Sequence, residues 1–322
     1  MIEAATGYGR SRVRVLKAAE SEILDLAFSP DGRALAAAVT ADFDGVYLWN
    51  LEGAATVPVR LETEGEYRGG LGFSTDSRSL GWLEPAARRV YDRDERYMSD
   101  TSFEIMKNTH GVVQSADGSR AISQHGLPDY RLHGWRPEGD EWIRTWSIST
   151  TELAVESVTL SEDGRLFAML TRPAIGEKWQ QGPRRVEVRD AATAALRGVG
   201  EYPYNYAEPL LFSPDGRQLV GFNDMTLLVW SVPEVGTLGT PRRITNDNRK
   251  QFTDLAYHPS GQRLYATSND TTVHVFDTEH WNWVSRFTWQ LGRLKAVAVS
   301  PDGMLAAAGG DKGDIVIWDV DE

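Results

Sequence analysis

The chain has 322 residues, 41% hydrophobic and 25% charged, with 30 Gly and 14 Pro, a composition that suits a turn-rich globular protein and excludes a disordered or fibrous one. It has no cysteine, which excludes disulfides, thiolate zinc sites, iron–sulfur clusters and cysteine nucleophiles together. Lys and Arg number 34 against 46 Asp and Glu, and the formal charge of −12 repels phosphate backbones and anionic lipid surfaces, so neither nucleic acid nor membrane is expected as a partner.

Met1 to Lys17 lacks the apolar core of a signal peptide, and no later stretch approaches the length of a membrane span, so a cytoplasmic location is expected. Within it, Arg12 to Lys17 reads as a short strand. A turn signal then recurs seven times: Ser29-Pro30-Asp31-Gly32, Ser74-Thr75-Asp76-Ser77, Ser115-Ala116-Asp117-Gly118, Ser161-Glu162-Asp163-Gly164, Ser213-Pro214-Asp215-Gly216, His258-Pro259-Ser260-Gly261 and Ser300-Pro301-Asp302-Gly303. Successive copies lie 41 to 52 residues apart, the span of one four-stranded propeller blade. Pro presets φ, Asp caps its own backbone, and Gly accepts positive φ.

An apolar column stands three positions before each turn: Leu26, Leu71, Val112, Val158, Leu210, Leu255 and Val297. Phe28, Phe73, Gln114, Leu160, Phe212, Tyr257 and Val299 stand two positions further on, the period of a strand. A second strand follows each turn, carrying Leu35, Leu80, Ala121, Phe167, Leu219, Leu264 and Ala306. The third runs over Val46 to Asn50, Val90 to Asp92, Tyr130 to Trp135, Val186 to Asp190, Leu227 to Ser231, Val273 to Asp277 and Ile315 to Asp319. A more polar fourth strand follows six of the seven, at Val57 to Glu62, Ser102 to Lys107, Trp142 to Ile148, Arg242 to Asn246 and Trp283 to Thr288 among others, as suits an exposed edge. The seventh repeat stops short of its fourth strand, and Arg12 to Lys17 is available to supply it.

These residues resemble the WD-repeat family of β-propellers over nearly the whole chain. Ile317-Trp318-Asp319 carries the Trp-Asp pair, Val275-Phe276-Asp277, Leu48-Trp49-Asn50 and Val229-Trp230-Ser231 are partial matches, and Ser-Pro-Asp-Gly is typical of the family. The Gly-His pair of the family is absent from every repeat, so its tetrad of His, Asp, Ser or Thr and Trp is incomplete and stability rests more on apolar packing. Repeats two and three depart furthest, with Ser77 in place of Gly and Leu132-His133-Gly134-Trp135 ending a strand. The resemblance implies one all-β domain over residues 1 to 322, a seven-bladed propeller of four-stranded antiparallel blades, closed by pairing of the N-terminal strand with the last blade.

Little in the chain points to chemistry. His110, His125, His133, His258, His274 and His280 show no metal-ligand spacing, although His110 and His125 are placed to reach a central channel. Asp42 with Asp44, Asp92 with Asp94, and Asp311 with Asp314 lack the ligand series of a calcium loop and read as turns. No Gly-x-Ser-x-Gly elbow or phosphate loop is present, and Gly7-Tyr8-Gly9 lacks the rest of a dinucleotide fingerprint, so no cofactor is expected. Trp49, Trp230 and Trp318 are expected in the core between blades.

The expected function is a non-catalytic interaction scaffold acting as a monomer, with a propeller hydrolase or lactonase using channel-side carboxylates and histidines as the alternative. The leading partner-binding candidate is the insertion from Arg172 to Arg185, with Arg172, Lys178, Trp179, Arg184 and Arg185 as its anchors and Tyr204 and Tyr206 in reserve. Its four cations against Glu177 leave +3 on an acidic chain and favour a protein partner with an acidic surface.

Overall fold

The computed structural model describes residues 13–18, 20–40, 45–52, 57–63, 69–83, 88–101, 109–125, 130–139, 141–173, 183–204 and 209–321. Among them every regular element is a strand, and the strands form seven sheets, antiparallel but for one added strand, the blades of a β-propeller. Each blade takes its first three strands in chain order from one sequence repeat.

The chain divides into two compact units, 1–100 with 250–322, and 101–249. The first holds four blades. Blade 1 comprises Ile23–Phe28, Ala34–Val39, Gly45–Asn50 and Val59–Glu62, and blade 2 comprises Gly72–Phe73, Ser79–Leu83, Arg88–Asp92 and Tyr97–Thr101. The outer strand of blade 2 thus lies upstream of the expected Ser102 to Lys107, which falls outside the described residues. Blade 6 comprises Phe252–Tyr257, Arg263–Ser268, Thr272–Asp277 and Trp283–Thr288. Blade 7 takes Leu294–Val299, Leu305–Gly310 and Asp314–Asp319 from the C-terminal repeat and its outer strand, Arg14–Lys17, from the N-terminus. That strand pairs Arg14 with Ile317 and Lys17 with Asp314, as the incomplete last repeat predicts. Leu16 is buried among Ile315, Ile317, Trp49 and Leu51, and Lys17 Nζ lies 3.3 Å from Asp314.

The second unit holds blade 3 (Thr109–Gln114, Ala121–His125, Arg131–Glu138, Glu141–Ser149), blade 4 (Leu153–Leu160, Leu166–Pro173, Arg184–Asp190, Leu196–Tyr202) and blade 5 (Leu210–Phe212, Gln218–Asn223, Thr226–Ser231, Arg242–Thr245). Blade 4 has a fifth, parallel strand, Gly236–Thr237, against its outer edge.

The turn signal works as a hydrogen-bond module. In all seven copies the fourth residue donates its N–H to the carbonyl of the first at 2.8 to 3.0 Å, with φ between +63° and +73°. Six are Ser copies, in which the Ser hydroxyl donates to the Asp carboxylate (2.5–2.7 Å) and accepts the N–H that opens the next strand (2.8–3.0 Å). Ser77 holds the left-handed conformation in place of Gly, so the degenerate second copy still turns. In the remaining copy, the sixth, His258 Nδ1 accepts the Ser260 N–H, leaving Nε2 to donate to the Gly303 carbonyl of blade 7 at 3.1 Å.

The apolar column before the turn is buried at Leu26, Leu210, Leu255 and Val297. Trp49, Trp230 and Trp318 are also buried, each packed into a cluster drawn from two adjacent blades. The indole N–H groups of Trp230 and Trp318 have no acceptor among the described residues, the local cost of the incomplete tetrad. Blade 3 replaces part of it: Trp135 donates to Ser123 Oγ at 2.9 Å, and that hydroxyl lies 2.7 Å from His125 Nε2.

Candidate functional site

Five of the first strands carry a bulge at the same place, skipping the residue five positions before the turn. A bulge leaves one residue outside the ladder and re-aims its side chain. In blade 4 that residue is Glu156, and it points at the roots of the 174–182 insertion. Its carboxylate receives Arg184 in two hydrogen bonds, Nε at 2.5 Å and Nη2 at 2.9 Å, and Arg172 Nε lies 2.8 Å away as an ion pair without hydrogen-bond alignment. Arg184 is 7% exposed. Arg184 Nη1 also reaches the Tyr204 carbonyl at 3.5 Å.

This arrangement corrects the sequence reading of the insertion. Strand two of blade 4 runs to Pro173 and strand three begins at Arg184, so Arg172, Arg184 and Arg185 are strand residues. Arg184 is consumed inside the protein, and Glu156 offsets part of the +3 that the insertion alone suggests. Lys178, Trp179 and Tyr206 lie outside the described residues. What is brought together at the surface is Arg185, Tyr204 and Arg243, the last with its guanidinium 5.6 Å over the Tyr204 ring. Neither Glu156 nor Arg243 was singled out from sequence, because the bulge that aims Glu156 and the approach of blade 5 to Tyr204 have no local signature.

Several of the candidate histidines and carboxylates have structural partners. His125 ends the second strand of blade 3, and it is buried 4.5 Å from the His133 ring. His274 is buried between Phe252 and Phe276, His258 holds a turn, and His280 lies 3.5 Å from Asp277 at the surface. His110 falls on the first strand of blade 3. Asp92 accepts the N–H groups of Asp94 and Glu95 as a turn, Asp311 accepts Arg293 N–H, and Asp314 pairs with Lys17. Asp42 and Asp44 lie outside the described residues. Among the described residues no three His, Asp or Glu are placed to hold a metal ion.

Two carboxylates stand at the bulges of blades 1 and 6. Asp25 Oδ1 accepts the Leu26 N–H, and Asp254 accepts Leu255 N–H at one oxygen and, at the other, Val297 N–H from blade 7, all at 2.8 Å. Burial, assisted by the Asp25 charge, pushes Asp254 up to about 7 against the pull of its two hydrogen bonds.

Residues 10–47, 239–277 and 283–319 match the family model of the WD domain, G-beta repeat. The β-propeller domain of Cps50 (Swd1) from Myceliophteria thermophila is similar in structure, with a TM-score of 0.71 over 97% of this chain and 100% of that one, at 15% identity. At that identity the likeness concerns the fold. No curated protein matches the chain. The fold and the three matched segments define the class: a seven-bladed β-propeller carrying WD40 repeats. Propellers of this kind generally serve as protein-interaction scaffolds.

Proposed function

We propose that this chain is a non-catalytic scaffold, a single domain acting as a monomer in the cytoplasm, that docks a protein partner through the side of blades 4 and 5 bearing Arg185, Tyr204 and Arg243. The observation that carries the reading is how the polar side chains are used. The turn serines and aspartates, the buried histidines and the Glu156 triad are all spent on holding the fold, whereas Arg185 and Arg243 stay exposed with no carboxylate within ion-pair distance among the described residues. Binding energy concentrates in Arg, Tyr and Trp, and the 174–182 insertion with Lys178 and Trp179 emerges from the same pair of strands. The partner surface is acidic. Affinity purification from the native cell with parent and Trp179→Ala/Arg185→Ala baits at equal expression tests this: the variant is expected to lose at least one protein that the parent recovers. Recovery of the same set by both baits, or turnover of lactones or sugars by the purified chain, overturns it.

A further inference from the structure

The outer edge of blade 4 already receives an extended segment of its own chain. Gly198 pairs with Gly236 and Val199 with Thr237 in parallel, and Leu238 donates its N–H to the Val199 carbonyl at 3.0 Å. Glycine at 198 and 200 is what allows this approach. A Cβ at Gly200 would stand 3.0 Å from the Leu238 side chain, and one at Gly198 would stand 3.4 Å from the Gly236 carbonyl. Leu238 is thereby buried in the cluster shared by blades 4 and 5.

Beyond Leu238 the chain turns away through Gly239 to Pro241 and becomes the outer strand of blade 5, leaving an open groove of about 480 Å³ between the two outer strands. Gly200, Glu201 and Pro203 line one side, and Pro241 and Arg243 the other. Arg185 enters from the strand behind, in register opposite Glu201. The two prolines stiffen the walls, so little ordering is required of them on binding.

Charge distinguishes this groove from the rest of blade 4. Arg172, Arg184, Arg189 and Arg197 each have a carboxylate within 4 Å, and among the described residues Arg185 and Arg243 have none. Arg243 is held over the Tyr204 ring, which orients its guanidinium without neutralising it. Glu201 is the one carboxylate in the described lining, so two guanidiniums without an ion-pair partner leave the groove net positive on a chain of net charge −12 and mark a favourable place for negative charge.

We infer that this groove receives an extended acidic segment of a partner protein, whose carboxylates meet Arg185 and Arg243 while its backbone runs along the blade 4 edge beyond Leu238. The inference rests on the scaffold reading and names the seat and the chemistry of the partner.

The probe is a fluorescein-labelled octapeptide alternating Glu and Thr, titrated into the full chain by anisotropy, with Gln-Thr and Lys-Thr versions, a single-stranded DNA oligonucleotide and phosphatidylserine vesicles as further arms. The acidic peptide is expected to bind, to weaken with salt, and to lose at least ten-fold in affinity in Arg185→Gln/Arg243→Gln. The Arg131→Gln/Arg144→Gln control, which removes exposed arginines of blade 3, is expected to retain affinity. Hydrogen exchange on the parent, independent of how any variant folds, is expected to slow at 199–203 and 241–243 when the peptide is added. No acidic-peptide binding, equal loss in the control, protection elsewhere, or tighter binding of DNA or vesicles overturns the inference. If a native partner is recovered but protects another face, the groove is wrong and the scaffold reading stands. If neither peptide nor protein binds, both fail.

Discussion

Glu156 shows how one side chain decides what its neighbours can do. It faces two guanidiniums with one carboxylate, and all three lie at the foot of the insertion in blade 4. Glu156→Ala leaves Arg184 buried without its counter-charge and is expected to cost about 3 kcal/mol or more in urea titration, the scale of breaking a buried pair. Arg185→Ala, a change of an exposed side chain one position along, is expected to stay within about 0.5 kcal/mol. Equal costs for the two would show that the triad is solvated and does not hold the strands. Asp254 provides the pH counterpart. Its value near 7 against an ordinary 3.8 means the folded chain binds more protons than the unfolded one between those values, so stability falls as pH rises through that window. The turn aspartates act oppositely. In Asp76 and Asp302 the Ser hydroxyl is the largest influence, and in Asp31, Asp117, Asp163 and Asp215 burial pushes up most strongly but is outweighed by the Ser and backbone hydrogen bonds. All six are held below the ordinary value, so their contribution is lost as pH falls through their folded values. Asp254→Asn is expected to flatten the decline between about pH 4 and 7 and to leave the acid limb intact; an unchanged slope would place the titration elsewhere.

At the scale of the element, the closing strand carries the clearest consequence. Arg14–Lys17 supplies the outer strand of blade 7 and buries Leu16. Deleting residues 1 to 18 exposes the ladder of Asp314–Asp319, and an unpaired edge recruits other chains. The truncated chain is expected to self-associate on size exclusion and to melt lower; a monomer with unchanged melting temperature contradicts the closure. This element was legible in sequence because the repeat count leaves one strand missing, an argument that needs no contact information. The turn modules were legible for a related reason, since Ser, Asp and Gly act within six residues. The outer strand of blade 2 was misplaced because edge strands carry no apolar alternation to mark their limits. The same locality explains why the foot of the insertion was misread: charged residues at 172, 184 and 185 look like loop, and only the bulged Glu156, 16 residues before the first of them, allows them in strands.

For the whole molecule, seven approximate copies agreeing in their columns specify the blades even where single copies are poor, as with Ser77 or the missing Gly-His pair. The proposed docking surface has no such redundancy. It depends on one half-buried ring, two guanidiniums without an ion-pair partner among the described residues and a strand that crosses between blades 4 and 5, and only Tyr204 and Arg185 were visible beforehand as candidates. The proposed scaffold would present its binding groups on elements that do not rearrange. Hydrogen exchange on the chain alone and on its complex with the co-purifying protein tests that most directly. Slowed exchange is predicted within 172–204 and 236–243, with the inner strands Phe252–Tyr257 and Leu294–Val299 unchanged. Partner-dependent opening of those inner strands, or protection confined to them, would contradict a rigid display platform.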